Sequence, residues 1–262
     1  MIYHWQTLTA PQLATIAEGD PVAVITLGAI EQHGTHLPLG TDLIIGEGLQ
    51  AAMLDMIEPA LDVLCLPAIA VGASDEHANF AGTLSLPAPL AIATLEAYGA
   101  SIARAGIKKL VLINSHGGNK AVMDLAALTL RKQFDMRVVK ATYTRLPPLQ
   151  GAINADELRY GLHGGLLETA IMLHVAPELV QLDSYQPTPP AMPNDDALVS
   201  PEGSAAFAWL AEDLSTFGVA GDATGAHQAL GERLVRHYAT QLAQVVAETA
   251  HLPPLITRTT PD

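Results

Sequence analysis

Within residues 28–42, GAIEQHGTHLPLGTD, the chain places Glu31, His33, His36 and Asp42 among glycines and Pro38, directly after the apolar run VAVITL. Further groups follow: SDEHANF carries Glu76 and His77, NSHGGN carries His116 and Asn119, and LHGGLLETA carries His163 and Glu168. Cys65 is the single cysteine and lies in the apolar stretch LDVLCLPAI, so it reads as a small buried hydrophobe and any metal ligands must be His, Asp and Glu. A Glu, His, Asp, His, Glu set suits Zn²⁺, Mn²⁺ or Fe²⁺, and a carboxylate within it can bridge two ions. Two adjacent ions can share a hydroxide and polarise a carbonyl, which makes hydrolysis the natural chemistry.

Each residue also has a plainer explanation. Glu31 and His33 are two apart, so in an extended chain both side chains leave the same side of the backbone. Asp42 opens the next helical segment and alone reads equally well as a helix cap. A cap, however, explains neither Glu31 nor His33. His116 is followed by Gly117 and Gly118, which allow close approach to a ligand. Ser115, Gly117, Gly118 and Asn119 are expected to line a substrate pocket. Glu168 falls in the first turns of an apolar helix, where it is either a favourable acid at a helix start or a semi-buried carboxylate in need of a cation. Glu76 and His77 read as pocket-lining groups or as a hydrogen-bonded structural pair.

The elements that must position these groups alternate. VAVITL, VLCLPAI, KLVLINS and RVVKATY are short, β-branched and apolar, as strands buried on both faces are. Helical spacing fills the segments DLIIGEGLQAAMLDMIE, PLAIATLEAYGASIARAG, NKAVMDLAALTLRKQFD and the C-terminal TGAHQALGERLVRHYATQLAQVVAETA. The expected fold is α/β, a largely parallel sheet with helices on both faces in three layers. Such sheets bind ligands at the carboxyl ends of their strands, and EQHGTH, SDEHANF and NSHGGN each follow a strand. Proline-rich stretches at 144–156 and 184–203 read as long surface loops.

Composition narrows the function. With 262 residues, 49% hydrophobic and 15% charged, the chain fits a single domain over 1–262. No run approaches the roughly 18 apolar residues of a membrane span, and the N-terminal residues lack the pattern of a secretory signal. A cytoplasmic protein acting on a small molecule, without a membrane partner, is the expectation. A net charge of −14, from 13 basic against 27 acidic residues, argues against nucleic-acid binding.

GAIEQHGTHLPLGTD, GASDEHANFAGTLSL, LINSHGGN, HGGLLETA and GVAGDATGAHQALGERL together resemble the creatininase family of metal-dependent amidohydrolases, in its HGGN branch. The resemblance implies two divalent ions per chain (Zn, Mn or Fe). Glu31 and His116 would hold one, His33 the other, and Asp42 both. Creatininase proper has a glutamate where this chain has Gly118, and Glu168 is the implied substitute as fifth ligand and catalytic group. His163 matches the histidine that moves protons during cleavage. An acid common three residues after that histidine is replaced here by Leu166. The tryptophans that close the site in creatininase have no counterpart in 144–162, which argues against creatinine as substrate. The resemblance also implies a homo-oligomer, the hexamer being a common family form, and 184–203 could pack on a neighbour.

The reaction expected is cleavage of a C–N bond, other than a peptide bond, in a small cyclic amide or formamide by a metal-bridging hydroxide. The alternatives are a mononuclear Fe(II) oxygenase, which leaves two of the five candidate ligands idle, and a non-enzymatic metal or effector-binding module, against which the intact ligand set speaks. Because a bridging carboxylate serves both ions, Asp42→Ala should lose both metals or hold one loosely, and His33→Ala should be milder. Metal analysis of the purified variants checks this; two tightly held ions in Asp42→Ala would refute the bridge.

Overall fold

Every residue of the strand Val22–Leu27 is buried, and such a strand needs cover on both faces. Side chains alternate across a strand, so Val22 and Val24 enter one core with Val63, Cys65, Val111 and Ile113. Ala23, Ile25 and Leu27 enter the other with Leu64, Leu110 and Leu112. In the computed structural model, which describes residues 1–187, 198–253 and 255, this strand is the centre of a five-stranded parallel sheet. The strands are β1 (Ile2–His4), β2 (Val22–Leu27), β3 (Val63–Cys65), β4 (Lys109–Asn114) and β5 (Arg137–Thr142), in the order β1-β3-β2-β4-β5. All pairings in this sheet are parallel, as the alternation of strand and helix predicts.

Helices α1 (Ala10–Ala17), α2 (Thr41–Leu54), α3 (Ala88–Arg104) and α4 (Asn119–Phe134) lie between the strands. After β5 come α5 (Ala155–Tyr160), α6 (Leu166–Val175), α7 (Ala211–Leu214) and α8 (Gln228–His251). Ile45, Leu49 and Met53 of α2 share one core with Ala170, Ile171 and Met172 of α6 and Leu234, Tyr238 and Leu242 of α8. Leu95 and Ile102 of α3 and Val122, Met123 and Leu130 of α4 fill the other, with α1 against its edge. The result is the expected three-layer arrangement. In α8 the buried residues Leu230, Leu234, Tyr238, Leu242 and Val246 recur every fourth position, the stripe of a helix with one apolar face. Among the described residues no helix is long and apolar enough to cross a membrane.

Two differences from the sequence reading have simple causes. The edge strand β1 was not expected: three residues with only Tyr3 partly covered carry no periodic signal, and pairing with β3 creates the strand. The VLCLPAI strand ends at Cys65, since Pro67 has no N–H to offer a ladder. Of the 184–203 loop, residues 188–197 lie outside the described residues. Val199–Ser200 (β6) and Ala205–Ala206 (β7) form a small parallel pair within the remainder.

The α6–α8 contact depends on Gly231. A Cβ there would lie 1.8 Å from the carbonyl oxygen of Ala170 and 2.9 Å from Cβ of His174, so the helices pack backbone against backbone. Gly231→Ala gains about 1 kcal/mol of helix propensity and loses about 3 kcal/mol to overpacking. A net loss of about 2 kcal/mol is expected, read as a lower midpoint of chemical unfolding at unchanged slope.

Candidate metal centre

The site is built where β2 and β4, neighbours in the sheet, both end. After Leu27 the chain leaves β2 in a loop closed by the Glu31 N–H donating to the Leu39 carbonyl (2.9 Å), and Asp42 follows in the first turn of α2, buried. After Asn114 the chain leaves β4 through Ser115 and His116. Asn119 ties these loops together: its Oδ1 accepts from Ala73 N (3.1 Å), and its Nδ2 donates to the Gly28 carbonyl (3.0 Å) and to Asn114 Oδ1 (3.2 Å).

Two groups of metal-capable atoms result, and Asp42 belongs to both. Glu31, Asp42 and His116 form one, and His33, Asp42 and Glu168 the other, the ligand atoms of each lying within 4.8 Å of one another. His116 Nδ1 is 3.3 Å from Glu31 Oε1 and 3.4 Å from Asp42 Oδ2. His33 Nε2 is 3.7 Å from Asp42 Oδ1 and 4.0 Å from Glu168 Oε2. His163 Nδ1 and His77 Nε2 approach Glu31 Oε1 at 3.6 Å and 3.4 Å. Further overlapping groups join Glu31 with His33 and His163, and with Glu76 and His77.

The outer nitrogen of three histidines donates to a backbone carbonyl: His33 Nδ1 to Glu31 (3.1 Å), His116 Nε2 to Ala73 (2.8 Å) and His163 Nε2 to Gln32 (2.6 Å). That contact leaves the inner nitrogen aimed at the carboxylates, the orientation a metal-binding histidine takes. The buried side-chain atoms without a hydrogen-bond partner, among the described residues, include both oxygens of Glu31, Asp42 Oδ2 and His33 Nε2. Unpaired carboxylate oxygens in a dry interior are strongly unfavourable unless a cation joins them, so the residues present fit a divalent ion.

Protonation follows the same logic. Burial would strip His33 of its proton, but Asp42, with Glu168 and Glu31 behind it, pushes its pKa up to about 9. Burial opposes charge on His116 too, and Glu31 and Asp42 outweigh it, holding its pKa well above the usual value. Burial, reinforced by His33 and His77, drives His163 well below its ordinary value. Burial lowers His77 to about 4 and raises Glu168 to about 7. Without metal, the cationic histidines therefore sit beside the carboxylates.

Of the residues expected to line the pocket, Glu76 and His77 border the cluster, with Glu76 Oε1 3.6 Å from His116 Nε2. Ser115 and Asn119 do not offer free polar groups: the Ser115 hydroxyl donates to the Leu27 carbonyl (3.0 Å), and Asn119 is the loop clamp. Gly117 is open to solvent. Gly118 cannot carry a side chain in this backbone, because a Cβ would sit 2.2 Å from the Ala73 carbonyl and 2.5 Å from both Glu76 Oε1 and His116 Nε2. Cys65 is buried, its thiol pushed up to about 11 by burial.

Sequence reasoning assigned no role to four contributors. His36 bonds Thr169 of α6 through Nε2 (3.0 Å); its place in EQHGTH was the available signal. Glu157 accepts from the backbone N–H of Leu166 (2.7 Å) and Asp222 (2.8 Å), fixing the start of α6; its partners lie 9 and 65 residues away, so its neighbours in sequence give no sign of this role. Gln32 lies hidden between two stronger residues. Trp209 lies outside 144–162, yet its ring stands edge-on to His77 with centroids 6.5 Å apart, so an aromatic group reaches the site from a different segment.

The family model described as creatininase, creatinine amidohydrolase, matches residues 6–246. A mycofactocin precursor peptide peptidase of Mycobacterium ulcerans is 33% identical over 242 residues, covering 88% of this chain and 89% of the relative. A creatinine amidohydrolase of Pseudomonas putida is 31% identical over 194 residues, covering 68% of this chain and 73% of that protein. A solved structure described as creatininase with Mn superposes with a TM-score of 0.79 at 23% identity, covering 96% of this chain and all of that one, and supports the fold. With the match spanning nearly the whole chain, the protein belongs to the creatininase family of amidohydrolases.

Proposed function

We propose that the protein hydrolyses an amide C–N bond with two divalent ions, one of which Glu31, His116 and Asp42 would hold and the other His33, Glu168 and Asp42, with Asp42 serving both. The observation that carries this reading is the pair of ligand groups that overlap at Asp42. Bound there, the ions would acidify a water molecule and polarise the scissile carbonyl. The donor set accepts Zn²⁺, Mn²⁺ or Fe²⁺. His163, neutral and with its Nδ1 lone pair facing Glu31, takes up a proton at that atom and returns it to the leaving nitrogen. Glu76 and His77, whose ring centroid lies 4.2 Å from that of His163, contact the substrate beside it. An iron oxygenase would use two histidines and one carboxylate and leave two of these five ligands without work.

The substrate is a small cyclic amide or a formamide. A second reading, a peptide amide, is favoured by the Mycobacterium ulcerans relative, whose name gives a precursor peptide as its substrate. Both classes use the same groups. Incubating metal-loaded protein with lactams, formamides, cyclic ureas and short peptides separates them; two metals per chain and turnover without oxygen exclude the oxygenase.

Glu168→Gln keeps the oxygen that accepts from Gly164 N (2.7 Å) and removes the charge. It should empty the His33 site, halve the metal content and cause a large loss of turnover with the fold intact. Full occupancy with a stability loss of about 1 kcal/mol would return Glu168 to a helix-end role.

Metal binding should also be proton-linked. The His33 pKa of about 9 exceeds the unfolded value, so in metal-free protein its stabilising contribution is complete below pH 6.5 and disappears as pH rises through 9. An incoming ion must displace that proton. Apparent Zn²⁺ affinity should therefore climb with pH up to about 9, with proton release at pH 7 measurable by calorimetry in buffers of different ionisation enthalpy. A pH-independent affinity would contradict it.

A further inference from the structure

We infer that Gln32, a residue between two candidate ligands, is a positioning residue that sets opposite hydrogen-bonding senses on His77 and His163, leaving His77 as a fixed N–H donor aimed at the metal centre. The argument starts from the orientation of its amide. The backbone N–H of Gly34 donates to Gln32 Oε1 (2.9 Å), and a backbone N–H can only donate. Nε2 faces the carbonyl of Gly218 (2.9 Å), which can only accept. Turning the amide over would set oxygen against oxygen and N–H against N–H, so the network permits one orientation.

The second proton of Nε2 then points at His77 Nδ1, 2.8 Å away. Nδ1 must hold a lone pair, and a neutral imidazole with a bare Nδ1 carries its proton on Nε2. That N–H is directed at Glu31 Oε1 (3.4 Å). The main-chain carbonyl of the same Gln32 accepts from His163 Nε2 (2.6 Å), which presents the lone pair of His163 Nδ1 to the same oxygen at 3.6 Å. One residue thus orients two rings whose centroids are 4.2 Å apart, one as donor and one as acceptor.

Two consequences follow from this polarity. Although His77 lies in a metal-capable cluster with Glu31 and Glu76, a nitrogen bearing a proton has no lone pair for a metal, so His77 is not a ligand. Its N–H instead serves an oxygen brought to the centre, such as the carbonyl of an amide substrate; this use rests on the amide-hydrolysis reading. The device is also tied to the segment that carries Trp209. Gly218 has φ of +71°, and a Cβ there would lie 2.4 Å from the Gln32 amide, so the amide and that segment hold each other in place.

The test is long-range ¹H–¹⁵N NMR of metal-free protein labelled at histidine, with the His77 signals identified by their loss in His77→Ala. In the native protein His77 Nδ1 should resonate as an unprotonated nitrogen and Nε2 as a protonated one. Gln32→Glu replaces the donor with an acceptor, and Nδ1 should become protonated. A protonated Nδ1 in the native protein, or an unchanged pattern in Gln32→Glu, overturns the inference. If the glutamate variant fails to fold, Gln32→Leu, which neither donates nor accepts, should show both tautomers; a pure Nε2–H form there overturns it equally. Zn²⁺-loaded His77→Ala should contain as many ions as the native protein, and a missing ion would restore His77 as a ligand. On any amide that the native enzyme hydrolyses, Gln32→Glu should lower kcat about tenfold or more with KM changed less than about twofold. An unchanged kcat alongside a protonated Nδ1 would overturn the substrate role alone. Absence of hydrolysis by the native protein would refute the proposed function and leave the NMR result to decide the polarity.

Discussion

Glu31 and Asp42 are buried at the end of the central strands, with both Glu31 oxygens and Asp42 Oδ2 lacking a hydrogen-bond partner, and the surrounding structure answers that charge. Removing a carboxylate from water costs several kcal/mol after relaxation. Here the compensation comes from protons on His33 and His116, which the proposed divalent ions would replace. The pKa shifts express this: Asp42 and Glu31 outweigh burial at His33 and His116 and push them up, while burial, reinforced by neighbouring imidazoles, pushes His77 and His163 down.

Holding such a cluster together requires a rigid frame, and the frame is mostly main chain. Carbonyls of Glu31, Gln32 and Ala73 fix three imidazoles, and Asn119 joins the loops after β2 and β4 to the one before His77. A parallel sheet suits this purpose because the strand ends that carry the loops lie side by side on one edge. Helix α6 brings Glu168 from far along the chain, and its position is over-determined. Glu157 fixes its first N–H, His36 bonds Thr169, and Gly231 allows α8 to press against its backbone.

The names of relatives carry both creatinine and a precursor peptide. Two features of this chain stand beside the metal-capable cluster. Gly118 is closed to any side chain, and Trp209 reaches the site from the segment after residue 197.

By itself the sequence determined the layer architecture, because alternation between buried β-branched runs and 3.6-residue periodicity is a local signal. It also determined which side chains could hold a metal: Glu31, His33, Asp42, His116 and Glu168 stand in motifs whose residue types carry the chemistry, and the family resemblance paired them. Short elements such as β1 were not legible, since pairing rather than pattern makes them strands. Nor was the difference between Asn119, which looks like a substrate contact and is a loop clamp, and Gln32, which looks like a spacer and orients two rings. Hydrogen-bond direction depends on what stands opposite each polar atom. Partners such as Gly218 for Gln32 and Asp222 for Glu157 are distant in sequence, so only the tertiary structure could decide which nitrogen of each histidine faces the centre.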